Sequence, residues 1–222
     1  MFKKPIVLEV IMPEMYQDIH LVSNTYANKK PYMTDKKNEP MNIGSCWGLV
    51  EMNKRALDLK MWCDLTIDVV PDGLHFTSVQ DILFDEHSFQ AKGFNNSKNF
   101  EIIKFRPPYF IRCKEQVSFV LTNTPFNFID LKIPTGVLDF YHNRQCNIFA
   151  YYPKNTHRTI DIKFQETIAH LVPLSDRKIK LKHIYSDELI NKTRLRGRNA
   201  GFFSKNVMRR MFKDKLPQYW PK

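Results

Sequence analysis

The chain has little glycine and no long hydrophobic run. It contains 7 glycines in 222 residues, and neither G-x-G-x-x-G nor G-x-x-x-x-G-K-[ST] occurs, which excludes dinucleotide-binding Rossmann folds and P-loop proteins. No apolar stretch reaches the ~18–20 residues that a membrane-spanning helix needs, so no membrane partner is expected. The segment Met1–Val10 reaches a glutamate too early for a signal peptide, so secretion by that route is not expected.

Cysteine pairs at metal-binding spacing are also missing. The four cysteines, Cys46, Cys63, Cys113 and Cys146, lie far apart, and no C-x-x-C occurs. Structural zinc sites usually draw their ligands in close pairs, so no metal site is predicted. Each cysteine has an apolar or aromatic neighbour, which predicts reduced core thiols in a cytoplasmic protein.

The main pattern in the sequence is a series of short apolar runs separated by turn residues, which is clearest between Ile133 and Pro173. The runs Asn147–Tyr152, Arg158–Phe164 and Thr167–Leu174 are separated by proline and Asn/Thr punctuation, the pattern of consecutive antiparallel strands. In the second run Ile160, Ile162 and Phe164 alternate with polar residues, which predicts one buried and one exposed face.

The rest of the body follows the same pattern. Strands are predicted at Ile6–Ile11 and within Met61–Val70, and the two glycines of Asn42–Glu51 predict a turn where backbone packs closely. Tyr26–Pro40 and Phe94–Lys98 are predicted surface loops. With about nine or ten short strands and no helical period between them, the expected fold is mainly β, an antiparallel barrel or sandwich.

Positive charge is concentrated at the C-terminal end. The formal net charge is +11, and residues 175–222 hold 14 of the 34 Lys+Arg but only 4 of the 23 Asp+Glu. A concentrated basic segment attracts polyanions or an acidic protein surface; the alternative is a solvated helix face. We therefore divide the chain into a β domain, 1–185, and a basic helical tail, 186–222, whose removal should abolish salt-sensitive polyanion binding.

The tail has the period of helices. Ser186 precedes two acidic residues, as at a helix N-terminus, and Gly197 would end that helix. A second helix is predicted after Ser204, with one apolar face and Lys205, Arg209, Arg210 and Lys213 facing away. Such a basic amphipathic helix either docks on its own domain or a sister subunit, or binds nucleic acid.

Three segments resemble motifs of the trimeric dUTPase and dCTP deaminase superfamily. Gly136–Tyr141 is similar to its third motif, a turn bearing an aspartate and an aromatic residue, and Glu166–Val172 is similar to the strand of the fourth. Arg198–Ser204 resembles the mobile C-terminal arm, and the three segments occur in the family's order.

The resemblance implies a dUTPase-like fold, a homotrimer and a nucleotide site. Asp139 would position the attacking water as the catalytic residue, and Tyr141 would stack on deoxyribose. Arg198 and Ser204 would bind phosphates, while Phe202 would cover the base. A diphosphatase of this kind would use Mg²⁺, and an arginine on a flexible arm would close the site.

Other readings of the same residues remain open. The stretch Thr122–Pro125, where the family's second motif should supply an arginine, has no basic residue, which favours the fold over the activity. Asp139 is also consistent with a turn aspartate that accepts a hydrogen bond from its own backbone. His170 is also consistent with a core histidine whose hydrogen-bonding groups have partners. The aromatic residues around Phe140 and Tyr152 fit core and interface packing.

The whole chain also resembles an uncharacterised family of phage and bacterial proteins, through Asn42–Gly48, Phe105–Arg112 and the segment from Gly136 to Pro173. We therefore predict a non-enzymatic phage-type structural or accessory module without a cofactor, located in the virion or the host cytoplasm. Exposed sheet edges favour a homo-oligomer, and the tail would contact nucleic acid or an acidic protein. The alternative is a nucleotide-binding protein or dUTPase-like diphosphatase.

Overall fold

A computed structural model describes most of the β domain and the start of the tail. Apart from two helices and a short 3-10 turn at Glu14–Tyr16, the regular structure is β-strand. No helix in the described part is long and apolar enough to cross a membrane. The described residues are 3–19, 21, 47–70, 73–78, 84–86, 100–124, 131–141, 144–153 and 157–194.

Thirteen strands are described. Their bounds are β1 Ile6–Met12, β2 Leu57–Lys60, β3 Leu65–Val70, β4 Gly73–Ser78, β5 Phe84–Glu86, β6 Phe100–Phe105, β7 Phe110–Cys113, β8 Ser118–Thr122, β9 Gly136–Asp139, β10 Ile148–Pro153, β11 Arg158–Ile162, β12 Thr167–Pro173 and β13 Ile179–Tyr185. Helix α1 is Trp47–Arg55, and residues 187–194 form α2.

The strands form four sheets, ordered β13-β1-β7, β10-β6-β5, β11-β3-β4 and β2-β12-β8-β9. Every pairing between strands is antiparallel except that of β1 with β13, which is parallel. The prediction of a mainly β, antiparallel fold is confirmed. Among the described strands no pairing closes a sheet into a barrel.

The three strands of the central segment go to three different sheets. β10 pairs with β6, β11 with β3, and β12 lies between β2 and β8. The expectation of strands here is confirmed, but they do not pair with one another. Alternation buries Ile160 and Ile162 as predicted, whereas Phe164 is 44% exposed because the strand has ended at Ile162.

Helix α1 corrects the C-terminal part of the turn expected in Asn42–Glu51, while residues 42–46 lie outside the described residues. Residues from Trp47 onward are helical, and a Cβ placed on Gly48 would meet no atom within 4 Å, so this glycine does not serve close packing. The helix ends with Lys54 and Arg55, where cations complement the partial negative charge of the C-terminus. Glu51 lies one turn earlier and binds both cations, which lowers its pKa.

One large core joins the sheets. Side chains from all four sheets and from the connections contribute, including Trp62, Phe140 and Tyr152, as expected for these aromatic residues. Cys63, Cys113 and Cys146 are buried and form no disulfide bond, in line with the prediction of core cysteines, and Cys46 lies outside the described residues. Burying this much apolar surface is the main favourable contribution to folding.

The start of the tail packs against the body. The Leu189 N–H donates to Ser186 Oγ at 3.3 Å, so Ser186 caps α2 as predicted. Ile190 is 2% exposed and forms a small apolar cluster with Ile11 and Phe110. The boundary at 185/186 remains a prediction, and the loops Tyr26–Pro40 and Phe94–Lys98 and the second tail helix lie outside the described residues.

Candidate functional site

Asp139 ends strand β9 and forms an Asx turn with Tyr141. The backbone N–H of Tyr141 donates to Asp139 Oδ1 at 2.8 Å, the local bond that short polar side chains favour in turns. Asp139 is half-buried and Tyr141 is 50% exposed. The sequence pattern placed Asp139 within a turn; the structure places it where the strand ends and the turn begins.

The ionisable side chains near Asp139 interact with one another electrostatically or through hydrogen bonds. Burial raises the pKa of the Cys113 thiol, and the carboxylates of Glu115 and Asp139 raise it further. The nearby cation Arg177 holds Glu115 through two bonds of 2.5 and 2.9 Å, which lowers the pKa of that carboxyl group. Arg177 also donates to the carbonyl of Lys4 at 2.6 Å. This arginine therefore joins the N-terminal segment to the β7–β8 connection.

The other predicted nucleotide-binding residues, Arg198, Phe202 and Ser204, lie outside the described residues. Of the predicted site, the structure brings together Asp139 and Tyr141. Within the described part of the chain, no three His, Cys, Asp or Glu side chains are grouped to hold a metal ion.

His170 belongs to a buried polar cluster. It is 0% exposed, and its Nε2 lies 3.1 Å from Asp58 Oδ1. Lys60 approaches the other Asp58 oxygen at 3.6 Å and donates to Thr167 Oγ1 at 2.5 Å. The interpretation of His170 as a core histidine with a partner is confirmed. Such a cluster compensates a buried carboxylate across β2 and β12.

A second charged cluster lies on the β13–β1–β7 sheet around the buried Glu9. Arg112 binds its carboxylate at 2.5 Å, and the lysines at 114 and 182 lie 3.8 and 3.9 Å away. Arg112 and Lys182 are the register partners of Glu9 on the two flanking strands. Cross-strand pairing therefore surrounds one carboxylate with three cations.

A cavity opens where the chain passes from β6 to β7. Phe105 at the end of β6 pairs with Ile148 of β10, whereas Phe110 at the start of β7 bridges to Gln145. Residues 145–148 thus run from one sheet to the other, and the Pro107–Pro108 pair forms the facing connection without backbone donors. The cavity is ≈ 470 Å³ and is lined by residues 104, 106–110, 145–147 and 194. We call it the cationic pocket.

Among the described residues that line the cationic pocket, every charged side chain is basic. Lys104 and Arg106 come from β6 and its connection, and Arg194 comes from α2. Ile190 is anchored on Phe110, which itself lines the pocket, and Arg194 follows four residues later on the same helical face. Docking of α2 therefore brings a cation of the basic segment to the β domain.

Two buried groups in the pocket are neutral at physiological pH. Burial raises the pKa of Cys146 to about 12, and it raises that of Tyr109 well above its usual value. Neither group therefore adds negative charge. The amides of Gln145 and Asn147 supply further polar atoms, so the pocket combines positive charge with neutral hydrogen-bonding groups.

No site was predicted at this pocket from the sequence, where Phe105–Arg112 stood out only for a family resemblance. The available signal was a pair of cations, Lys104 and Arg106, beside a proline pair that interrupts a strand pattern. Arg194 is distant in sequence, so its part in the pocket becomes visible only in the fold.

The described chain is a mainly antiparallel β protein with a cationic pocket. No protein-family model matches it, and no curated protein matches it. Among solved structures it is similar to a mutant dUTPase from phage phi11 of S. aureus, with 12% identity and a TM-score of 0.32, covering 60% of this chain and 85% of that one. A likeness of this strength carries no argument about activity, so function is argued from the residues of this chain.

Proposed function

We propose that the protein is a non-enzymatic binding module of the phage structural or accessory type, whose basic C-terminal segment contacts an acidic partner. One observation carries the proposal: α2, the first helix of that segment, places Arg194 beside Lys104 and Arg106, with no acidic residue among the described lining. Several cations that line one pocket attract anionic partners.

The arrangement of charge supports a partner larger than a single ion. Residues 175–222 carry a large excess of basic side chains, and Arg194, which lines the pocket, belongs to this segment. An acidic partner that enters the pocket would therefore contact the basic segment through Arg194. Nucleic acid and an acidic protein surface both fit this description, in the virion or the host cytoplasm.

Homo-oligomerisation is part of the proposal, with a trimer as the preferred form. Among the described strands, β9 pairs only with β8 and so forms a sheet edge. Its Val137 is 65% exposed, and Tyr141 beyond it is 50% exposed. An edge strand with exposed apolar side chains favours association. Light scattering coupled to gel filtration measures the oligomer, and a monomer at all concentrations would contradict this part.

The partner proposal is tested by binding labelled single-stranded DNA and labelled poly-glutamate over a range of salt. A full-length tail-neutral variant replaces Lys205, Arg209, Arg210 and Lys213 by glutamine. We expect the wild type to bind one of the two polyanions, with affinity falling about 10-fold or more between 50 and 200 mM salt, and the variant to bind weakly. Affinity that does not change with salt would refute the proposal.

The enzymatic alternative is examined in the same preparation. The protein is incubated with dUTP, dCTP and the purine triphosphates in the presence of Mg²⁺, and released pyrophosphate is measured. We expect no turnover. Turnover that is lost in Asp139→Ala would overturn the non-enzymatic proposal and restore the nucleotide diphosphatase alternative.

A further inference from the structure

The cationic pocket has the volume and the positive charge of a site for an anionic ligand. We propose that it binds a phosphate group, carried either by a free nucleotide or by a nucleic acid backbone, between Arg106 and Arg194. The inference deepens the proposed function, since it names the chemistry of the acidic partner at the pocket where that partner meets the body.

The volume of the pocket exceeds that of a single small ion. At ≈ 470 Å³ it falls within the range of about 300–1,000 Å³ typical of sites for small molecules. A phosphate and its attached sugar fit such a space. Pro107, Pro108 and Phe110 give the pocket an apolar side against which the organic part of the ligand can lie.

The number of cations favours phosphate over carboxylate. One arginine fork satisfies both oxygens of a planar carboxylate. A terminal phosphate has three non-bridging oxygens and a backbone phosphodiester has two, but in both the oxygens are arranged tetrahedrally around phosphorus, so the group accepts hydrogen bonds from two arginines that approach from different directions. Arg106 comes from the β6–β7 connection and Arg194 from α2, so they reach the pocket from separate elements. Lys104 adds a third charge, and its Nζ lies 5.7 Å from the centre of the Phe149 ring.

The test concerns Arg106 and Arg194, because these two cations reach the pocket from separate elements. Tyr109 supplies a further donor. Its side chain is 1% exposed, and its hydroxyl has no hydrogen-bond partner among the described residues. A buried hydroxyl without a partner is costly, and a phosphate oxygen in the pocket would relieve that cost.

Binding is measured by calorimetry on the full-length protein with pyrophosphate, ATP and a 20-residue oligothymidylate, and with citrate as a carboxylate control. We expect Arg106→Gln and Arg194→Gln each to weaken binding of at least one phosphate probe by about 10-fold or more. Lys192→Gln is the matched control, since it removes the same charge from α2 two residues away on another face; we expect a change below about 2-fold.

A third variant separates binding from folding. Tyr109→Phe removes only the hydroxyl, so the thermal midpoint should not fall, while phosphate binding should weaken about 3-fold or more. Equal responses of the two arginine variants and of Lys192→Gln would overturn the proposal. Citrate binding as tight as pyrophosphate binding, with the same dependence on Arg106, would also overturn it.

The probes distinguish a free nucleotide from a nucleic acid backbone as the source of the phosphate. They also separate failure of the phosphate site from failure of the proposed function. Arginine-dependent binding of pyrophosphate and ATP assigns a free nucleotide, whereas binding of the oligonucleotide alone assigns a nucleic acid backbone. If oligonucleotide affinity is lost in the tail-neutral variant but unchanged in Arg106→Gln, the proposed function is supported and the phosphate site in the pocket is refuted. If pyrophosphate binding is weakened in Arg106→Gln while the tail-neutral variant binds both polyanions as the wild type does, the phosphate site in the pocket is supported and the proposed role of the basic tail is refuted.

Discussion

Replacing Cys146 by alanine tests the packing around the cationic pocket through the pH dependence of stability. This thiol is 1% exposed, and burial raises its pKa from 9.0 to about 12. In the unfolded chain the thiol ionises near its ordinary pKa, so only the folded state keeps the proton between pH 9 and pH 12. The contribution of this group is therefore fully present below pH 9 and is lost as the pH rises toward 12.

The size of the effect follows from the raised pKa. Each pH unit in that window lowers the free energy of unfolding by about 1.4 kcal/mol, and the whole window amounts to about 4 kcal/mol. Tyr109 acts in the same direction at higher pH, since its pKa is also raised by burial. Tyr109 is present in both proteins, and burial is the larger cause of its raised pKa while Cys146 is the smaller one, so the difference between wild type and Cys146→Ala reports mainly on the cysteine.

The measurement is urea unfolding followed by tryptophan fluorescence from pH 8 to pH 10.5 under reducing conditions. Above pH 9 we expect the wild type to lose stability more steeply than Cys146→Ala, by about 1.4 kcal/mol per pH unit. Cys113→Ala is the matched control, because burial raises the pKa of Cys113 by a smaller amount. Parallel stability profiles for wild type and Cys146→Ala would refute the reasoning.

Three further predictions concern packing and charge. Ile190→Ala should lower the free energy of unfolding by about 2 kcal/mol and speed hydrogen exchange in 187–194; unchanged exchange would mean that this side chain does not anchor α2. Arg112→Met should cost about 2 kcal/mol in urea unfolding because Glu9 stays buried with only the lysines nearby, and no loss would show that the lysines suffice. Asp139→Ala should cost about 1 kcal/mol, whereas Asp139→Asn keeps the acceptor for the Tyr141 N–H and should cost less; equal losses would argue against the Asx turn.

The strands that alternate most clearly were predictable from the sequence. In β3 and β11, buried residues such as Ile67 and Ile160 alternate with more exposed ones, because a period of two separates the faces of a half-covered sheet. β1 was also predicted, although it is buried on both faces as the central strand of its sheet. The cap at Ser186 was readable because it depends on neighbouring residues alone.

For two of the elements that were not predicted, β13 and α1, the reason can be identified. Strand β13 has an alternating pattern, but its lysines led us to treat Ile179–Tyr185 as part of a basic segment; in the fold it pairs in parallel with β1. Helix α1 was missed because the glycines near its start indicated a turn. A sequence-based preference near Gly48 is weak, and packing can override it.

What the sequence determined by itself is local: strand periods, the helix cap, the free core cysteines and the accumulation of positive charge after residue 174. Only the tertiary structure decided that β10, β11 and β12 join three different sheets, and that Arg106 and Arg194, about ninety positions apart in the chain, line the same pocket. Periodicity states which face of an element is buried but not which strand lies beside it, because register and partner depend on how all the apolar faces pack together.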